Sequence, residues 1–291
     1  MSWILFTLIA VFFQTFRNAI QSQLSATVPT AGVTLARFLF APPLAAVYVY
    51  LTSVRDNIGI PEFPAKFWMF ICLAAILQIA ATSLMVQLFK QKNFAVGAGL
   101  AKSEALMAGV LGMLFFGSYL SLLGWLGIGI GAIAVFILSG WRKGGDLTLK
   151  TVIIGLACGT CFALTSLYVR EASHTLDVPY IQGAGWVLFW VLSLQTIILC
   201  SFIAIKQPDT FKKLAALPGK TLAASVTSFL GSVGWFTAMA LQHVAYVKTL
   251  GQLEVFTTML ISLIWLKQPV KKHEIIGLLL IAIAAILVMW S

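Results

Sequence analysis

The stretch Ala245-Tyr-Val-Lys-Thr-Leu-Gly-Gln-Leu-Glu-Val-Phe256 lies in an almost wholly apolar region, yet it carries Lys248, Gln252 and Glu254 into what reads as a membrane span. A related stretch, Ala95-Val-Gly-Ala-Gly-Leu-Ala-Lys-Ser-Glu-Ala-Leu106, lies 150 residues earlier. Ala95 pairs with Ala245, Leu100 with Leu250 and Glu104 with Glu254. The same offset pairs Gly127 with Gly277 and Ala132-Ile133-Ala134 with Ala282-Ile283-Ala284. A carboxylate repeated at one register in two apolar stretches predicts a duplicated chain.

Composition sets the solvent. The chain has 291 residues, 60% hydrophobic and 10% charged, with a mean hydropathy of +0.98. Soluble domains are nearer half apolar and a quarter charged. Apolar runs of about 20 residues recur, each long enough to cross a ~30 Å hydrocarbon core. The short alternating strands of a membrane barrel are not seen. The net charge of +10 does not point to nucleic acid. The basic residues sit in short gaps between spans, where the positive-inside bias accounts for them.

Ten spans are predicted, roughly 2–21, 31–53, 66–89, 94–116, 119–140, 151–171, 183–205, 220–242, 246–267 and 272–290. The N-terminal apolar run has no basic n-region and no convincing cleavage site, so it reads as a retained first span. The halves meet near residue 147, giving one five-helix repeat over 1–146 and a second over 147–291. Five is odd, so the second copy enters from the opposite side and the repeats are inverted, a device of secondary transporters. The expected fold is therefore an all-α integral membrane protein of ten transmembrane helices in two inverted five-helix repeats.

Arg17, Lys90, Lys92, Arg142, Lys143, Lys150, Lys206, Lys212, Lys213, Lys220, Lys267, Lys271 and Lys272 fall in one set of links. Arg55, Lys66 and Arg170 fall in the other. The bias predicts the first set on the cytoplasmic side of an inner or plasma membrane, with both termini outside.

The polar residues within the spans carry the functional reading. Glu104 and Glu254 lie about 12–15 Å deep by helical rise, near the midplane. Ionisable groups there are costly unless paired, protonated or facing water. They are expected to meet in one aqueous cavity, as proton carriers or binders of a cationic group, or else to clamp neighbouring helices. Lys248 and Gln252 share a helix face, and Lys248 is shallow enough to snorkel. Lys102 lies deeper, where a cavity or an ion pair is expected. Arg37 is expected to neutralise a glutamate, bind an anion or staple carbonyls. Pro42-Pro43 behind it should kink the second span and free carbonyls. Gln14 and Arg17 on the first span, Gln78 on the third, Thr165, Ser166 and Tyr168 on the sixth, and Ser232 and Trp235 on the eighth add mid-span polar content, with Trp235 as an aromatic wall. The fifth and tenth spans are nearly free of polar groups and read as packing helices. Trp3, Trp68, Trp141 and Trp290 read as interface anchors.

No P-loop, Ser/His/Asp grouping or metal-ligand spacing stands out. The reading is a non-enzyme with no cofactor and no metal. Cys158-Gly-Thr-Cys161 has redox spacing but lies inside a span, where small packing residues are the plainer reading.

The layout, Ala245-Tyr-Val-Lys-Thr-Leu-Gly-Gln-Leu-Glu254 and the later Ile276-Gly-Leu-Leu-Leu-Ile-Ala282 together resemble the drug/metabolite transporter superfamily, EamA-type permeases. The acidic residue that usually follows a glycine between the fourth and fifth spans is absent, with Gly117-Ser118 in its place. The resemblance implies a central cavity formed by both halves, alternating access, and transport of a small polar or amphipathic metabolite. The leading expectation is a secondary transporter among membrane lipids, either proton-coupled, with protons as the coupling ion, or facilitative. Lys102, Lys248 and Arg37 against Glu104 and Glu254 lean toward an amino acid or other carboxylate. A cation or drug exporter of the same fold, and a non-transporting scaffold or accessory subunit, are the alternatives.

Overall fold

The computed structural model describes residues 2–89, 103–138, 149–254, 256–257 and 272–290. Lys102 and Trp141 lie outside the described residues. Among these residues every regular element is helical. They are α1 Ser2–Ser25, α2 Thr30–Phe38, α3 Ala41–Asp56, α4 Ala65–Phe89, α5 Glu104–Phe116, α6 Leu122–Leu138, α7 Leu149–His174 and α8 Tyr180–Lys206. A short α9 Asp209–Ala215 leads to α10 Pro218–Leu241, α11 Val244–Leu250, a 3-10 turn at Gly251–Leu253, and α12 Lys272–Met289.

Six helical stretches are long and apolar enough to cross a membrane: Ser2–Ser25, Thr30–Asp56, Ala65–Leu88, Leu149–His174, Tyr180–Lys206 and Pro218–Leu241. Glu104–Phe116, Leu122–Ala134 and Leu279–Met289 are shorter apolar helices. Large apolar side chains point outward all along these elements, among them Leu5, Phe12, Ile76, Phe115, Ile197 and Leu279. Such a surface is unsustainable in water and natural in lipid, where helices satisfy their own backbone groups.

Polar side chains inside the apolar helices bond locally. The hydroxyls of Thr7, Thr15, Thr165 and Ser173 donate to carbonyls one turn back, at 2.8–2.9 Å. The proline pair acts as its chemistry requires. The second span divides at Leu39–Phe40, with Pro42 and Pro43 in the first turn of α3. The freed groups are met from neighbouring helices. Thr196 Oγ1 donates to the Phe38 carbonyl at 3.0 Å. Ser225 Oγ donates to the Ala36 carbonyl at 2.6 Å and accepts from the Phe40 N–H at 3.2 Å. Buried backbone groups need such partners in a medium without water.

Helix pairing places the site. α1 packs on α10 and α4 on α7; α3 lies against α8, α5 against α11, and α6 against α12. At the α1–α10 crossing, a Cβ on Gly234 would stand 2.6 Å from the Phe6 carbonyl oxygen and 2.9 Å from Ala10. Only glycine allows that approach. Trp3, expected as an interface anchor, is instead buried at 9% exposure in the main apolar core; Trp68 and Trp290 are exposed.

Candidate functional site

α1, α2, α4, α5, α7, α10 and α11 enclose one polar cavity. Its lining includes Gln14, Arg17, Asn18, Arg37, Gln78, Glu104, Thr165, Ser166, Ser232, Trp235 and Lys248, with Met85, Phe162, Phe236 and Met239 as apolar wall. The space open to water centres is about 50 Å³, room for a few waters.

Two linked clusters organise it. In the first, Lys248 Nζ on α11 lies 2.7 Å from Glu104 Oε1 at the start of α5. The pair is mostly buried, with side-chain exposures of 11% and 17%. Ser166 Oγ donates to the same Glu104 oxygen at 3.3 Å. Lys248 Nζ also sits 4.3 Å from the Trp235 ring centroid, a cation–π distance. In the second cluster, Gln14 Nε2 and Asn18 Nδ2 on α1 donate to the two oxygens of Glu254, each at 2.7 Å. Trp235 Nε1 donates to Gln14 Oε1 at 2.8 Å. Trp235 therefore touches both clusters, its face on Lys248 and its edge on Gln14.

The local backbone explains the geometry. After Leu250 the helix tightens into the 3-10 turn Gly251–Leu253, and Glu254 is helical again. Mid-helix 3-10 turns mark strain or function. A Cβ on Gly251 would collide with the outer edge of the Trp235 ring, so the glycine lets the indole approach the turn closely. Gln252 lies in this turn, 2% exposed, and both its amide atoms lack hydrogen-bond partners. It lines a smaller space beside Gln14, Glu104, Trp235 and Lys248.

Two buried arginines face the cavity. Arg17 gives Nε and Nη2 to Asn18 Oδ1, at 3.3 and 3.0 Å. Arg37 gives Nη1 to Thr82 Oγ1 at 2.9 Å. Arg17 Nη1 and Arg37 Nε have no partner.

The sequence expectations divide against this geometry. Gln14, Arg37, Gln78, Glu104, Trp235 and Lys248 line one cavity. Lys248 does not snorkel outward but pairs with Glu104. Glu254 does not line the cavity beside Glu104; it stands behind Gln14 and Asn18, whose amides occupy its oxygens. Tyr168 is not in the lining: its ring packs on Phe70 and Phe116, with centroids at 5.8 and 5.4 Å. Gln78 accepts from Gln195 Nε2 at 2.6 Å. Asn18 was not among the expected site residues. Arg17 was read as mid-span polar content and also counted among the basic residues of the links; it is instead buried within α1 and lines the cavity. Their signal was available: Arg17 and Asn18 follow Gln14 by one helical turn, on the face that meets Glu254.

One end of the site is stapled. Arg170 Nη1 donates to the carbonyls of Met239 and Gln242, each at 2.6 Å, and His174 Nε2 lies 2.8 Å from the Ala240 carbonyl. These basic groups satisfy the C-terminal carbonyls of α10, a favourable place for positive charge. In the link that follows, burial and then the charges of Arg170 and His174 hold the His243 imidazole below the ordinary histidine range. Tyr246 Oη accepts from the Ser121 N–H at 3.0 Å, tying the start of α11 to the turn before α6.

A lipid-facing helical bundle around a charged interior cavity is the architecture of a multi-pass membrane protein. Residues 149–290 match the EamA-like transporter family. The match covers just under half of the chain, and that family is part of the drug/metabolite transporter superfamily. A solved protein crystal structure shares the fold with a TM-score of 0.74 over 99% of this chain and 98% of that one, at 14% sequence identity. No curated protein matches the chain significantly.

Proposed function

We propose that the protein is a secondary transporter that moves a small metabolite across the membrane by alternating access. In this reading the chain forms ten spans in two inverted repeats, 1–146 and 147–291, rocking about the cavity. The helix pairing supports the repeat. Exchanging the two halves turns the α1–α10 contact into the α7–α4 contact, and returns α3–α8, α5–α11 and α6–α12 each to itself.

The observation that carries the proposal is the Lys248–Glu104 pair, which bridges the halves across the cavity. A charge pair between two moving bodies makes and breaks as they rock. It also provides a means of proton coupling. A proton on Glu104 would release Lys248 and add one positive charge to the cavity, favouring entry of an anion. A carboxylate-bearing substrate, an amino acid or another organic acid, fits a lining in which cations outnumber carboxylates. The cation-exporter reading fits less well, because Lys248 occupies the Trp235 face that a cationic drug would use.

Reconstituted vesicles test the reading. Uptake of a radiolabelled organic acid should exceed that of empty vesicles, rise with an imposed proton gradient, and fall at least tenfold in Glu104→Gln. Absence of uptake for every organic and amino acid offered, together with copurification of a partner protein, would favour a scaffold instead.

A further inference from the structure

Arg17 and Arg37 are each only 4% exposed, yet each keeps one N–H without a partner, Nη1 of Arg17 and Nε of Arg37. Both guanidinium groups line the same cavity, and their charges repel one another. A buried charged donor left unpaired is costly, so two of them in one cavity mark a place for an acceptor. The planar guanidinium fork matches a planar carboxylate better than a point charge does.

Charge counting narrows the ligand further. Among the described residues, Arg17, Arg37 and Lys248 line the cavity against Glu104 alone, which leaves +2. Counting Glu254, which stands behind Gln14 and Asn18, leaves +1. The cavity thus lacks one negative charge. Among the described residues, the carboxylates and the aromatic face that would seat an ammonium group are already engaged. Glu104 is engaged by Lys248, Glu254 by two amides, and the Trp235 face by Lys248.

We propose that Arg17 and Arg37 clamp the carboxylate of a small organic monoanion that carries no free ammonium group, such as a 2-hydroxy or 2-oxo acid. The proposal rests on the transporter reading of the cavity and narrows its substrate class. Thr165, Ser166 and Ser232 supply hydroxyls for an uncharged polar remainder.

The test uses the purified full-length protein and four probes of similar size: lactate, alanine, lactamide and inorganic phosphate. Lactate should raise the unfolding temperature in a concentration-dependent way, since a ligand stabilises the state it binds. Alanine and lactamide should act at least tenfold more weakly, and phosphate more weakly than lactate. Arg17→Lys and Arg37→Lys keep the charge but remove the fork, and each should weaken lactate at least tenfold. Alanine or phosphate matching lactate, no response to lactate, or full lactate affinity in both lysine variants overturns the clamp. Vesicle uptake separates this failure from the broader one. Alanine uptake that both lysine variants retain sinks the clamp and leaves the transporter standing. Lactate binding that needs both arginines, without uptake or exchange of any probe, sinks the transporter and leaves the clamp.

Discussion

Glu104 and Glu254 stand 150 residues apart at one register, yet the fold gives them different surroundings. Glu104 lines the cavity and holds a lysine from the other half at 2.7 Å. Glu254 is 5% exposed and bound through both oxygens by uncharged amides of α1. A carboxylate held by a long charged side chain on another element can release it when the cavity changes. A carboxylate held by two short amides on one helix fastens that helix in place. The comparison teaches that register alone does not equalise two sites. What matters is which helix supplies the partners: α11 for Glu104, α1 for Glu254.

The largest effect is expected where a charge would be left alone. Glu104→Leu strands Lys248 in a mostly buried site and should cost about 3 kcal/mol, in line with broken buried pairs. Transport should be lost with it. Glu104→Leu combined with Lys248→Leu removes both charges and should recover most of that stability, but not the transport. Thermal unfolding in detergent, paired with vesicle uptake, reads both. A double variant no more stable than the single would mean that the pair does not set the cost.

Glu254→Gln should be milder. The amide keeps one oxygen for Gln14 or Asn18 and turns an N–H₂ toward the other, a loss of about 1–2 kcal/mol for weakened charge-assisted bonds. Uptake should fall less than tenfold while the unfolding temperature drops. If Glu254→Gln abolishes uptake and Glu104→Gln spares it, the two roles are reversed.

How much of this was legible in the sequence follows from range. The membrane class came from composition and from apolar runs, which depend on local chemistry alone. The proline break was equally local, because Pro42 and Pro43 lack the N–H that a continuous helix needs. Gln14, Arg37, Gln78, Glu104, Trp235 and Lys248 could be picked out as polar groups in the wrong solvent. Their pairing could not. Lys248 meets Glu104 only because α11 packs on α5, and helical-wheel angles along either segment hold no trace of that contact. Tyr168 was misread for the same reason: on its own helix it resembles a cavity residue, whereas the fold turns its ring onto Phe70 and Phe116. Arg17 was legible as a polar residue but not as one of a pair, since Arg37 reaches the same cavity from a different helix.

The smallest effect should come from the residue that joins the two carboxylate clusters. Trp235→Phe keeps an aromatic face beneath Lys248, so the Glu104 side should be little changed. It removes the indole N–H that Gln14 accepts at 2.8 Å. Loss of one neutral hydrogen bond costs about 0.5–1.5 kcal/mol. Gln14 would still donate to Glu254 and could turn its freed oxygen to a water, which moves the outcome toward the lower end. The variant should therefore lose about 1 kcal/mol or less and retain uptake near that of the parent. A double-mutant cycle with Glu254→Gln makes the distinction sharper. Because Trp235 reaches Glu254 through Gln14, the two losses should be less than additive. The corresponding cycle with Glu104→Gln should be additive to within about 0.5 kcal/mol, because phenylalanine preserves the ring that Lys248 contacts. Strong coupling in the second cycle and none in the first would show that the indole serves the cavity pair rather than the fastened one.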